Sequence, residues 1–145
     1  MVSILFFGCK KYPEDKTFIH LRRAEKRLKS GTDWKITEYK VNEVDSLPYV
    51  NSLNPWGVKV EEIKFEHLGK GGSFHIYSSG STIYYKFLAD KKSVFIAYTP
   101  AYPLSYPLFF NGWNFWQIKR LDHEVFTIEG YKNSKKYRVT FTFVE

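Results

Sequence analysis

The sequence predicts one α+β domain spanning residues 1–145, with a single N-terminal amphipathic helix packed on a mainly antiparallel β-sheet. Three observations lead there. Thr17–Ser30 carries apolar residues at helical spacing. From Val58 onward the apolar period becomes two and is interrupted by short turns. No linker, low-complexity tract or fixed-period repeat divides the chain. At 145 residues, 43% hydrophobic, with 13 Phe, 11 Tyr and 4 Trp, the chain has the apolar area to build a core.

Val2–Phe7 is a short apolar run closed by Gly8, as expected of a strand buried on both faces. After the turn-like stretch from Lys10 to Asp15, Phe18, Leu21, Ala24 and Leu28 fall on one helical face. Thr17 or Asp15 serves as the cap and Gly31 as the stop. Trp34–Val41 reads as a strand whose apolar residues Trp34, Ile36 and Tyr39/Val41 stay nearly in phase. Pro48, Pro55 and Gly57 make Glu43–Gly57 irregular, with one helical turn around Tyr49 to Leu53.

An antiparallel meander follows, with β-runs at Val58 to Phe65, Phe74 to Ile76, Ile83 to Leu88 and Val94 to Tyr98. Gly69–Gly72 is read as the first of its turns, because the glycines lack the spacing of a phosphate-binding loop. Pro100, Pro103 and Pro107 keep Thr99–Trp113 out of a central strand. Phe115–Arg120, Val125–Tyr131 and Tyr137–Val144 complete a sheet of about six to eight strands.

Composition narrows the function classes. A lone Cys9 forms no internal disulfide and, without a C-x-x-C or a matching His and Asp, reads as a small apolar residue. Together with an apolar start too short to span a membrane or to act as a signal peptide, this leads us to expect a cytoplasmic protein with no membrane partner. His20, His67, His75 and His123 show no ligand spacing, so neither metal nor other cofactor is expected. One Met, one Cys and one Gln beside 17 Lys is a thermophile-like balance, whereas abundant Lys, Phe, Tyr and Ile against four Ala also suits a virus or plasmid.

The formal charge of +7 favours a polyanionic partner, while a Lys-rich surface also serves solubility. On the expected helix, Arg22, Lys26 and Lys29 fall at i, i+4 and i+7 with Arg23 and Arg27 beside them, a stripe able to follow a phosphate backbone or to be a solvated face. Tyr98, Tyr102, Tyr106, Trp113 and Trp116 form an aromatic recognition group around the Pro/Tyr loop, suited to stacking bases or to meeting a protein.

The leading expectation is a non-enzymatic nucleic-acid-binding or host-interacting accessory protein, with nucleic acid or a protein as partner and no catalytic residues. One alternative is a small metal-independent ribonuclease using Glu66 and His75, placed roughly opposite each other across a hairpin with Lys70 at its tip. The competing reading of that pair is an exposed cross-strand ion pair. Another alternative is a protein inhibitor acting through the Pro/Tyr loop.

Two local runs resemble known proteins. Leu68–Tyr77 continuing through Ile83–Phe87 to Val94–Tyr98 resembles the central meander of ribosome-dependent RNase toxins, without the arginines expected there. Val94–Pro103 is similar to the end of the β-sandwich domain that precedes cytosolic carboxypeptidase domains, and no zinc-ligand motif follows it. Each covers a small part of the chain, and no family is assigned on them.

Overall fold

The computed structural model of the chain describes residues 12–15, 28, 32–52, 63–68, 71–76, 81–98 and 112–144, with side chains described for 12–15, 28, 34–49, 85–96 and 115–144. The elements are β1 (Thr32–Val41), β2 (Val44–Asp45), α1 (Leu47–Ser52), β3 (Ile63–Leu68), β4 (Gly71–Ile76), β5 (Ser81–Phe87), β6 (Ser93–Tyr98), β7 (Gly112–Leu121), β8 (Val125–Lys132) and β9 (Lys135–Phe143). The sheet is antiparallel throughout, and the helix content is very low. The expected first strand, Val2–Phe7, lies outside the described residues.

The expected N-terminal helix is not supported. Of Thr17–Ser30 only Leu28 is described; it sits in a bend and is 1% exposed. Its burial agrees with an inward apolar face, but the backbone there is not helical. The helical turn expected around Tyr49 is α1, and a membrane-crossing helix is absent among the described residues.

Strands β3 to β9 follow one another as a meander, each bonded to the next. β1 pairs with β3 through Thr32–Trp34 and with β9 through Trp34–Val41. A strand bonded at both ends of the meander closes it, so β1 and β3–β9 form an eight-stranded ring, with β2 folded back on the end of β1. Closure satisfies backbone groups that an open sheet would leave at its edges.

Local sequence explains the hairpins. Asn42-Glu43 and Asn133-Ser134 each join their strands in two residues, and all four adopt positive φ, as the twist-matched hairpin turn requires. The Asp90 carboxylate accepts from Lys92 N and Ser93 N, and the Asp122 carboxylate accepts from Glu124 N and Val125 N, which fixes the β5–β6 and β7–β8 loops. Gly71 and Gly72 belong to β4, opposite Leu68 and His67, which restricts the β3–β4 connection to Gly69 and Lys70.

The core fills the ring with Trp34, Ile36, Tyr39, Tyr85, Phe87, Val94, Ile96, Trp116, Ile118, Leu121, Phe126, Ile128, Tyr137, Val139 and Phe141. Two bulges set which residues point inward. The β1–β9 register slips between Ile36 and Glu38, so Thr37 is extra and both Ile36 and Tyr39 face the core. The β7–β8 register slips between Ile118 and Arg120, so Lys119 is extra and both Ile118 and Leu121 are buried. The first bulge is why the apolar phase of Trp34–Val41 is imperfect in sequence.

Candidate nucleic-acid interface

The segment before the first described strand is fixed to the barrel at two places. Tyr12, 1% exposed, donates its hydroxyl to Lys91 O at 2.8 Å. Asp15, also 1% exposed, accepts from Leu121 N at 3.0 Å, and Glu14 N donates to Lys119 O at 2.9 Å. β6 pairs with β7 only as far as Gln117, so residues 12–15 occupy the stretch of β7 beyond it, where the Lys119 bulge occurs. Leu28 is the second anchor, buried in the same core cluster.

The outer wall over β1, β7, β8 and β9 carries an ion network centred on Arg138. Its guanidinium reaches Glu14 at 2.5 Å, Glu38 at 3.0 Å and Glu129 at 2.9 Å. These carboxylates come from the anchored segment and from the two strands flanking β9, so one side chain joins three elements. The Arg138 hydrogen bond holds the Glu14 carboxyl below its ordinary range against the effect of burial. Burial pushes Glu38 and Glu129 up, but bonds from Lys40, Thr140 and Arg138 to the former, and from Arg138 and Lys119 to the latter, outweigh it and hold both low. Lys136 bridges Glu43 and Glu129, and Arg120 pairs with Asp122. The wall's cations are thus largely engaged with its own carboxylates.

Charge is unevenly divided along the sequence: +5 of the +7 lies in residues 16–30 and +2 on all the other residues. Residues 16–30 alone hold six Lys and Arg and one Glu. Arg22, Arg23, Lys26, Arg27 and Lys29 all fall in that stretch and lie outside the described residues, the first four between the anchors at Asp15 and Leu28 and Lys29 next after Leu28.

The aromatic group divides. Tyr102 and Tyr106 lie outside the described residues. Tyr98 is the last residue of β6, opposite Ile83, and Trp113 is the second of β7, opposite Ala97; both are strand positions flanking the loop. Trp116 is a correction: it is 2% exposed in β7, part of the core, so its ring is not available as a recognition surface. Its neighbour Phe115 is 66% exposed instead. Phe115, Phe95 and Tyr131 form an outer aromatic row that sequence reasoning missed; strand parity was the available signal, with Gln117 and Lys119 marking the outer set and Ile118 the inner one.

Glu66 and His75 are not directly opposed. The β3–β4 register pairs Glu66 with Ser73 and His75 with Lys64, which leaves the two on a diagonal. Among the described residues no group of His, Cys, Asp and Glu could hold a metal ion. The chain matches no protein-family model, and no curated protein is similar to it.

Proposed function

We propose that the protein is a non-enzymatic accessory protein that binds nucleic acid through its basic segment, residues 16–30, which holds +5 of the chain's +7. The segregation of charge carries this reading. A solubilising charge has no reason to collect in one stretch, whereas a phosphate-binding one does, because each cation that neutralises a phosphate releases condensed counterions. Burial of Asp15 and Leu28 supports it further: fixing the residues that bracket 16–27 lowers the ordering cost of presenting that stretch to a ligand. Engagement of the wall's Lys40, Lys119, Arg120, Lys136 and Arg138 with carboxylates leaves those cations little to offer a polyanion.

Fluorescence anisotropy with a labelled oligonucleotide tests the reading. Binding is expected at low salt and should weaken steeply as salt rises. Absence of binding at low salt overturns it.

A further inference from the structure

We propose that the outer face of β6, β7 and β8 is a stacking platform for single-stranded nucleic acid. The inference rests on the nucleic-acid reading and adds to it the form of the ligand and a set of contact residues on the described sheet. A cross-strand row carries it. Lys86 pairs in register with Phe95, and Phe95 with Phe115. Phe115 lies two residues before Gln117, and Gln117 pairs with Glu129; Tyr131 lies two residues after Glu129 on the same outer face and pairs with Lys136. The row therefore runs Lys86, Phe95, Phe115, Tyr131, Lys136 across five successive strands.

Exposure singles the row out. Phe115 is 66% and Tyr131 75% exposed, and the Phe95 and Phe115 ring centroids lie 4.9 Å apart. On the inner face of the same strands Val94, Ile96 and Trp116 are all buried, so the core does not need the outer rings. Exposed rings at Phe115 and Tyr131, with Lys86 at one end of the row, have the chemistry of a base-stacking surface, in which rings meet unpaired bases and the Lys86 ammonium meets a phosphate, while Lys136 at the other end is held by Glu43 and Glu129. Lys86 is exposed and forms no ion pair among the described residues, which leaves its charge for a ligand. Duplex bases are stacked on each other and do not offer their faces, so the row favours single strands.

The test compares a labelled single-stranded oligonucleotide of about 12 nucleotides with its duplex at one salt concentration, on the whole chain and on Phe115→Ala, Tyr131→Ala and Phe115→Trp. Thermal melts establish that each variant is folded. The expected result is tighter binding of the single strand, a loss of roughly 5- to 100-fold in each Ala variant, and retention in Phe115→Trp. The salt dependence should be unchanged in the ring variants, since rings release no counterions. Salt-dependent binding that ignores strandedness and is indifferent to both Ala variants overturns the platform and leaves the basic-segment reading standing. Failure of both oligonucleotides to bind at low salt overturns the two together.

Discussion

Gly130 of β8 lies directly against the indole of Trp116: a Cβ placed on Gly130 would sit 2.7 Å from Cε3 and 3.0 Å from Cδ2 of that ring. The indole is 2% exposed and has little room to retreat. Gly130→Ala should therefore destabilise the protein by about 1–3 kcal/mol, as overpacking does in a filled core. Urea denaturation measures this, and a shift in midpoint without a change in slope is expected.

Arg138 is the counterpart on the outer wall. Arg138→Met should cost about 1–3 kcal/mol, because Glu14, Glu38 and Glu129 lose their shared cation while remaining partly buried. Double-mutant cycles of Arg138→Met with Glu14→Gln and with Glu38→Gln should show coupling at both pairs.

The same network sets the acid response. Glu14, Glu38, Glu129 and Asp122 all have folded-state pKa values below their ordinary ones. The unfolded chain then binds more protons in the acid range, so this stability is present above the ordinary carboxylate range and is lost as pH falls through it, below about pH 5. Melting temperature against pH should drop there in the native chain. In Arg138→Met the drop should be shallower, since Glu14 loses the bond that chiefly lowers it and Glu38 and Glu129 each lose one of several lowering partners.

How much of this was legible in sequence depends on the distance over which the signal acts. The period-two runs at Phe115, Val125 and Tyr137 located β7 to β9, because alternation is local. Parity in β7 was obscured: Trp113 and Phe115 alternate with Trp116 and Ile118, so both faces carry large apolar side chains. Closure of the ring was not legible, since the partners Ile36 and Phe141 are far apart in the chain and no turn chemistry joins them. Arg138 reads in sequence as an ordinary solvated strand cation, and only the pairing of β9 with both β1 and β8 brings Glu38 and Glu129 to it. The expected helix rested on spacing alone; Leu28, the one described residue of that segment, is buried, yet the backbone at that residue bends.

The anchors of the N-terminal segment should behave as core residues. Tyr12→Phe removes the bond to Lys91 O and should cost about 0.5–1.5 kcal/mol, whereas Tyr12→Ala also leaves a cavity and should cost about 3–5 kcal/mol. Asp15→Ala deprives the Leu121 amide of its acceptor and should cost about 1–3 kcal/mol. Chemical denaturation ranks the three. Limited proteolysis should additionally show faster cleavage within residues 16–27 once an anchor is removed.

The segregation of charge is tested most directly by the slope of log affinity against log salt for a labelled oligonucleotide, measured on three proteins. The native chain sets the reference. In Arg22→Ala/Lys26→Ala/Lys29→Ala the slope should fall by about two to three units, roughly one for each lost phosphate contact. In Lys35→Ala/Lys92→Ala, which removes two exposed cations outside residues 16–30, it should stay nearly unchanged. Equal losses of slope per cation removed from Lys35/Lys92 and from residues 16–30 would mean that the ligand senses only total charge, and would contradict a basic segment dedicated to binding.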